Sequence, residues 1–268
     1  MKLSFLILLA ALCLARPLAA GEPDHSLWDR VLQKHVNAIG EVDYAALKSD
    51  RAKLDAYLGQ LAAVSPDSDP ERFAGRDEQL AYWINAYNAL TVGAVVDLYP
   101  IASVRKADDF FGRRSHRAGG RLLSLRDIEH KILRERLDEP RIHFVIVCAS
   151  VSCPMLERRA FFAGDLEQRL EVASRRFLNE KRNVTVDLAR KRLTLNKILD
   201  WYADDFHPES PDGSVRGYIV RYADEPLRES LIALGPKAKP RHHDYDWSLN
   251  SPGARSRSKY PLEREAAR

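Results

Sequence analysis

The segment from Glu78 to Leu98 places the strongest constraint on the fold, because its apolar residues recur at intervals of three and four. This spacing is typical of an α-helix, and the breadth of the apolar stripe indicates burial against several neighbours. The apolar positions are Leu80, Trp83, Ile84, Tyr87, Leu90, Ala94, Val95 and Leu98. The sequence therefore predicts a long helix with a wide buried face.

Two other segments have the character of β-structure. Residues 142–148, IHFVIVC, form a continuous apolar and partly β-branched run, which predicts a central strand buried on both faces. Residues 183–195, NVTVDLARKRLTL, alternate apolar and polar positions and predict a hairpin. Helical spacing recurs at 27–63 and 165–179, so we expect an α+β fold, a helix-rich single domain around a small sheet.

The N-terminal residues 1–20 have the pattern of a cleavable secretory signal peptide. Lys2 precedes an apolar core from Leu3 to Ala15, and the small residues Ala19 and Ala20 follow. The core is too short to cross a bilayer, so we expect a periplasmic or secreted protein without an integral membrane segment after cleavage. The predicted domain covers residues 21–250, and the polar residues 251–268 predict a disordered tail.

The charge pattern argues against a nucleic-acid partner. The formal net charge of +4 falls to +2 when Lys2 and Arg16 leave with the signal peptide. Lysine and arginine alternate with acidic residues along the helical stretches, so no concentrated basic field forms. The basic loop at 105–121 is either a solvated loop or a rim that selects acidic substrates.

Removal of the signal peptide takes away Cys13 and leaves Cys148 and Cys153. Cys148 ends the predicted central strand, a common position for a reacting group because the strand is rigid and the next loop is open. Three interpretations remain open from the residues alone. The thiol is buried and inert, it forms a disulfide with Cys153, or it is a functional thiol with a histidine near enough to promote the thiolate.

Glu129 lies near the middle of an apolar arc in the predicted helix SLRDIEHKILRERL, which begins at Ser124 with Asp127 in position to cap it. A carboxylate directed toward the core needs a cation or a set of hydrogen-bond donors, or else it works as a proton carrier. The sequence leaves both interpretations open for Glu129.

His130 falls at the edge of the same arc, where its side chain can reach a cleft. Asp127, three residues earlier, is better placed than Glu129 to hydrogen-bond it. His143 is a competing base for Cys148, but a spacing of five on one strand puts the two side chains on opposite faces. We therefore expect His130 to be the base.

Asn85 and Asn88 share one side of the long apolar helix, and buried amides must be hydrogen-bonded. They either tie this helix to a neighbouring loop or orient a catalytic group and donate to an oxyanion. The chain has no glycine-rich phosphate loop and no paired CxxC motif, and the adjacent His242, His243 and Asp244 converge poorly on a metal. We expect neither a cofactor nor a metal site.

Five ordered motifs together resemble the domain-of-unknown-function family 547 (DUF547). They are GEVDY at 40–44, AYWINAYNALT at 81–91, SLRDIEHKILR at 124–134, CASVSCPML at 148–156 and YDWSLN at 245–250. The resemblance covers roughly Trp28 to Asn250. Bacterial relatives of this family are commonly exported, which agrees with the predicted signal peptide, and the coiled-coil region that precedes the domain in plant relatives is absent.

The resemblance implies that Asn85, Asn88, Glu129, His130 and Cys148 belong to a shared polar pattern. Cys153 matches the bacterial form of the family, whereas plant forms carry another residue at that position, which favours Cys148 as the nucleophile over a disulfide. A papain-like or transglutaminase-like thiol site is also implied, with a permuted order because histidine precedes cysteine here.

These observations predict a thiol-dependent hydrolase or acyltransferase acting on an amide or thioester of a peptide-like or small-thiol substrate. Cys148 would attack after His130 takes its proton, and Asp127 or Asn85 would orient the imidazole. Glu129 would be a polar anchor or an acid near the leaving group. The substrate would contact Asn88 and the turn after Cys148, where backbone N–H groups could stabilise an oxyanion. The turn positions assigned to substrate binding are Ser150, Ser152 and Cys153.

Two rival functions use the same residues. One is a non-enzymatic periplasmic module that binds a ligand or a partner and keeps these polar groups as a structural network. The other is thiol–disulfide exchange between Cys148 and Cys153, which ranks third because the CxxC spacing is missing.

Overall fold

The computed structural model describes residues 23–236 and 238–259, and within them helices predominate over small sheets. The structure is therefore α+β and helix-rich, as predicted. A π-helix and a 3₁₀-helix that border the candidate site lie at Asp127–Arg136 and Pro140–Phe144. The α-helices are α1 (His25–His35), α2 (Tyr44–Ser49), α3 (Ala52–Ala63), α4 (Arg76–Leu98), α5 (Leu166–Asn179), α6 (Ile198–Trp201), α7 (Ala203–Phe206), α8 (Val215–Tyr222), α9 (Glu225–Leu234) and α10 (Ala254–Arg257).

The described strands form two small sheets. The antiparallel hairpin β1–β2 turns at Gly119 and Gly120, which both have positive φ as a tight hairpin turn requires. The second sheet has the order β3–β4–β5, with an antiparallel β3–β4 pair and a parallel β4–β5 pair. The hairpin predicted at 183–195 is confirmed by β3 and β4. The strands are β1 (Ser115–Ala118), β2 (Arg121–Ser124), β3 (Val184–Asp187), β4 (Arg192–Leu195) and β5 (Pro240–His242).

Helix α4 is the long helix that the sequence predicts, and every residue from Leu80 to Val96 is buried. Asp77 and Glu78 lie in its first turn, where their negative charges interact favourably with the positive end of the helix dipole. The helix packs against α2, α3 and the π-helix. Because it is surrounded on all sides, its polar side chains must find partners inside the protein.

The buried apolar side chains form two clusters. The larger one surrounds α4 and includes Trp28, Trp83 and Phe161. The smaller one is built from the end of α5, from β3 and β4 and from α6–α9, with Phe144 and Tyr218 at its centre. Residues 140–148 connect the two, since Ile142 and Val145 belong to the first cluster and Phe144 to the second.

The central strand predicted at 142–148 is wrong in its conformation, although its burial is correct. The chain forms the 3₁₀-helix Pro140–Phe144 and then runs on without strand pairing. The amide of Asn88 receives a hydrogen bond from the N–H of Val147 at 2.9 Å and donates to the carbonyl of Val145 at 3.0 Å. A side chain of α4 thus replaces the neighbouring strand that such an apolar run normally needs.

Both chain ends were predicted from the sequence to lie outside the folded domain. The predicted signal peptide at 1–20 lies outside the described residues. Residues 251–259, predicted to be part of a disordered tail, include α10, and Arg255 on this helix is only 1% exposed. The guanidinium of Arg255 donates to the carbonyls of Cys153 and Pro154, which explains why this polar segment is held in place.

Candidate functional site

A cavity of about 300 Å³ opens where the two apolar clusters meet. Its walls come from α4, the π-helix, the segment 146–154, α6 with the residue after it, and residues 245–247. The cavity combines aromatic rings with a few titratable groups and two sulfurs, a composition typical of ligand sites. The lining residues are Tyr87, Phe111, Arg126, Glu129, His130, His143, Ile146, Cys148, Cys153, Pro154, Ile198, Trp201, Tyr202, Tyr245 and Trp247.

Glu129 is buried in the wall of this cavity, as the helical periodicity predicted. Its carboxylate accepts hydrogen bonds from the hydroxyl of Tyr87 at 3.0 Å and from that of Tyr202 at 2.5 Å. Burial, and after it the charge of Glu129, raises the pKa of both phenols, so both remain protonated donors. A pair of neutral donors therefore satisfies the buried carboxylate.

His130 belongs to a chain of polar contacts through Arg134 and Asp205 to His143. Arg134 donates from Nη1 to Nδ1 of His130 at 2.5 Å and binds Asp205 with Nε and Nη2 at 2.6 and 2.7 Å. A guanidinium has only donors, so Nδ1 must be the acceptor. His130 is thus the neutral tautomer with its proton on Nε2, and it can donate from that atom to a molecule in the cavity.

His143 closes the other end of this chain, with Nε2 at 2.6 Å from Oδ2 of Asp205 and its ring stacked on Tyr202 at 3.9 Å. Burial lowers the pKa of His143 despite the neighbouring carboxylate. Burial alone would raise the pKa of Asp205, but the hydrogen bonds from Arg134 and His143 outweigh it and lower that pKa. Neutral His143 therefore donates to an ionised Asp205.

The two sulfurs form a disulfide between Cys148 and Cys153 in this structure, one of the three interpretations that the sequence left open. Cys148 is partly exposed to the cavity, whereas Cys153 is 2% exposed. Buried Ala149 has φ +58°, in the left-handed region, and this reverses the chain directly after Cys148. The bridge between Ser150 and Leu249 fixes the same turn to the C-terminal segment.

Of the residues predicted for the site, the cavity brings together Glu129, His130, Cys148 and Cys153. His143 also lines the cavity. The sequence predicts its side chain on the opposite face from Cys148, but that placement assumes a strand that does not form. Ser150 does not line the cavity, but its Oγ lies 2.9 Å from the sulfur of Cys148.

The other predicted site residues bond elsewhere. Asn85 pairs with the backbone of Phe161 through both amide atoms, at 2.7 and 2.9 Å, and Asn88 pairs with Val145 and Val147. Both amides thus have the geometry of a tie between α4 and a neighbouring segment.

Asp127 exchanges hydrogen bonds with Ser124, as the predicted cap requires, and forms an ion pair with Lys131 at 2.7 Å. Its contacts do not include His130. The Oγ of Ser152 accepts from the N–H of Asp246 at 2.9 Å. Asp127 and Ser152 thus hold the backbone around the cavity without lining it.

Several residues of the site were missed by sequence reasoning. Arg134 and Asp205 look like ordinary surface charges, and Tyr202 lies between the short helices α6 and α7 in a stretch without a distinctive motif. Tyr245 and Trp247 offered the one usable signal, because they belong to the motif YDWSLN.

Fold and site define a helix-rich α+β protein with a cavity that joins a cysteine pair, two histidines and a buried carboxylate. Residues 70–178 match the model of the family described as "Protein of unknown function, DUF547", so the predicted resemblance to this family is confirmed over that segment. The matched segment contains Glu129, His130 and both cysteines of the cavity. Neither the curated proteins nor the solved structures gave a match. The papain-like or transglutaminase-like resemblance therefore stays a prediction.

No group of three or more histidine, cysteine, aspartate or glutamate side chains in the ranges 23–236 and 238–259 is arranged to hold a metal ion. In the same ranges no helix has the length and apolarity needed to cross a membrane.

Proposed function

We propose that the cavity is the site of an exported thiol-dependent hydrolase or acyltransferase in which Cys148 is the nucleophile. The observation that carries this proposal is the meeting of a partly exposed cysteine with His130 and Glu129 in one aromatic-lined cavity. Export rests on the signal-peptide pattern of residues 1–20 and on the oxidised cysteine pair, which is typical of proteins outside the reducing cytosol.

Reduction of the disulfide must precede the reaction, because a sulfur bonded to Cys153 is not a nucleophile. The free thiol of Cys148 then loses its proton to solvent, and the thiolate attacks the acyl carbon of the substrate. An S–C bond forms, the leaving group departs with the electrons of its bond to the acyl carbon, and an acyl–Cys148 thioester remains. Water or another acceptor removes the acyl group and restores the thiolate.

In this proposal His130 has a different role from the base that the sequence predicted. With Nδ1 engaged by Arg134, the free ring nitrogen carries a proton and acts as a donor. In this role His130 donates to the oxygen on which negative charge develops during attack.

The same geometry favours acyl thioesters over amides as the substrate class. An amide leaving group needs a proton at nitrogen, yet Glu129 accepts two hydrogen bonds and neutral His130 would have to become an anion to give its proton away. A thiolate leaves without protonation. Thioesters with a small or peptide-like acyl group that fits a cavity of about 300 Å³ are therefore the proposed substrates.

The test compares hydrolysis of a thioester and of the amide with the same acyl group, with and without reductant. We expect thioester turnover by the reduced wild type and at least a hundredfold loss in Cys148→Ser. Cys153→Ser, the matched variant, cannot form the disulfide and is expected to turn over thioester without reductant. Full thioester activity in Cys148→Ser would refute the role of Cys148 as the nucleophile.

A second candidate is a non-enzymatic module that binds a ligand or partner. It is favoured by the completeness of the polar network, in which Glu129, Arg134, Asp205 and His143 all have partners inside the protein. This function predicts that Cys148→Ser binds ligands of the cavity as tightly as the wild type, and that no thioester is consumed by either.

A further inference from the structure

The sulfur of Cys153 accepts two hydrogen bonds. Cys153 is also the less exposed of the two cysteines. The backbone N–H of Cys148 donates to Sγ of Cys153 at 2.9 Å, and the hydroxyl of Tyr245 donates to the same atom at 3.2 Å. The Tyr245 hydroxyl also lies 3.3 Å from Sγ of Cys148, so the backbone N–H is the donor that distinguishes Cys153. Ser150 in turn donates to the oxygen of Tyr245 at 3.3 Å, which orients the phenol toward the sulfur. Burial raises the pKa of Tyr245, so its proton stays available for donation.

Two buried guanidinium groups contact the backbone carbonyl of the same cysteine. Arg182 and Arg255 both donate to the carbonyl oxygen of Cys153, at 3.3 and 3.2 Å, and their residues are 8% and 1% exposed. Arg182 pairs with Glu180 at 2.7 Å, whereas no carboxylate forms an ion pair with Arg255 in the described part of the chain. Nε of Arg255 is also buried without a hydrogen-bond partner.

Arg255 keeps its charge in spite of this burial. Burial, and then the like charge of Arg182, lowers the pKa of Arg255 to about 9, which is still above neutral pH. A cation of this kind favours negative charge nearby, because the medium around it screens poorly. Cys153 therefore lies near two cations, whose charges Glu180 and Glu41 partly offset, and its sulfur accepts hydrogen bonds from two donors.

We infer that Cys148 and Cys153 form a reversible redox couple that exchanges electrons with a dithiol, with Cys148 as the entry sulfur and Cys153 as the stabilised leaving thiolate. This activity is separate from the acyl transfer proposed above. The inference rests on the unequal exposure of the two sulfurs and on the backbone N–H of Cys148, which donates to Sγ of Cys153.

The exchange balances as two displacements. A thiolate of the dithiol attacks Sγ of Cys148, an S–S bond to the dithiol forms, the Cys148–Cys153 bond breaks, and Cys153 leaves as the thiolate. The second thiolate of the dithiol then attacks its own sulfur in the mixed disulfide and releases Cys148, which takes a proton from solvent. Two electrons pass from the dithiol to the protein, and the dithiol becomes a disulfide.

The donors favour this reaction because a better-stabilised leaving thiolate departs faster and makes the reduced form more stable. The route to Cys148 runs through the cavity, so the partner is a small dithiol or a dithiol on a segment narrow enough to enter it. Opening of the disulfide also frees Cys148, so the redox state of the pair would control the proposed acyl transfer.

The first test equilibrates the protein with mixtures of reduced and oxidised dithiothreitol and measures the fraction of disulfide by alkylation and mass. Tyr245→Phe removes the hydroxyl that lies 3.2 Å from Sγ of Cys153 and 3.3 Å from Sγ of Cys148, so it takes a donor from whichever sulfur carries the negative charge. Since hydrogen bonds to charged groups are worth about 1.5–3 kcal/mol, we expect the equilibrium constant to move at least about tenfold toward the disulfide. Tyr222→Phe changes a buried tyrosine that packs on Tyr218; it is the control and is expected to leave the constant unchanged. Equal constants for these two variants would overturn the inference.

The second test assigns the entry sulfur and does not depend on Tyr245. Cys153→Ser and Cys148→Ser each keep one thiol of the pair. Circular dichroism first checks that both variants are folded, and both are then mixed with oxidised glutathione. We expect the mixed disulfide to form on Cys148 at least tenfold faster than on Cys153. A faster reaction at Cys153 would reverse the assignment. Neither test uses an acyl substrate, so a failure of the acyl-transfer proposal would be seen separately.

Discussion

Arg134 donates to Nδ1 of His130 at 2.5 Å, and this contact fixes the protonation state of the imidazole. A neighbouring carboxylate would have accepted a hydrogen bond from Nδ1–H and left Nε2 unprotonated, so that the ring could act as a base. A neighbouring guanidinium does the opposite and leaves the ring neutral with its proton on Nε2. In this arrangement Nε2 of His130 is a hydrogen-bond donor toward the cavity.

The first prediction separates the donor function from the base function. His130→Ala should lower kcat for thioester hydrolysis about a hundredfold, the usual loss when one oxyanion donor is removed. His130→Gln should recover much of this loss, because its amide N–H replaces the donor but cannot act as a base. His207→Ala, which changes an exposed histidine away from the cavity, serves as the control. Equal losses in the alanine and glutamine variants would show that His130 is a base.

The second prediction concerns the buried contact between Tyr87 and Glu129. Tyr87→Phe removes one of the two donors to the carboxylate and should lower the free energy of unfolding by about 1–3 kcal/mol. Urea denaturation measures this change. In a Glu129→Gln background the same substitution should cost less, because the charged acceptor is gone. Additive effects of the two substitutions would mean that the hydroxyl does not act through Glu129.

Sequence reasoning succeeded where periodicity decides the outcome. The burial of α4 and of Glu129 follows from the spacing of apolar residues, and the alternation at 183–195 gives the β3–β4 hairpin. A hydrophobic pattern reports which side chains are buried, and this information does not depend on the exact helix type. Glu129 could therefore be placed correctly although its helix is a π-helix.

The sequence failed where a distant side chain supplies the partner. Residues 142–148 have the composition of a strand, but their backbone bonds to the amide of Asn88 instead of to a second strand. The partner of His130 was likewise assigned to Asp127, while Arg134 occupies that position in the structure. Arg134 is only four residues from His130, but it is held by Asp205, 71 positions further along the chain. Local spacing encodes neither this contact nor the one made by Asn88.

The third prediction tests the contribution of the disulfide to stability. Cross-linking residues separated by five positions removes a modest amount of unfolded-state entropy, so reduction should lower the free energy of unfolding by about 2 kcal/mol. Denaturation with and without reductant measures the difference. The double variant Cys148→Ser, Cys153→Ser should be indifferent to reductant. An unchanged stability of the reduced wild type would contradict this account.

The fourth prediction follows from the lowered pKa of His143. As the pH falls below the usual imidazole value of 6.5, the unfolded chain takes up a proton before the folded protein does, so stability decreases. His143→Gln cannot titrate and should lose less stability between pH 7 and pH 5. Part of the dependence should remain, because burial also lowers the pKa of His25 to about 4. Identical pH profiles for wild type and variant would show that His143 does not contribute.

The central claim is that the sulfur of Cys148 attacks an acyl carbon, and trapping the acyl intermediate tests it most directly. Reduced wild type and Cys153→Ser would be mixed briefly with an acyl thioester, quenched in acid, and analysed by intact mass and peptide mapping. The account predicts one added acyl group, located on Cys148 in both proteins and absent from Cys148→Ser. An adduct that persists in Cys148→Ser, or no adduct on any of the three, would contradict it.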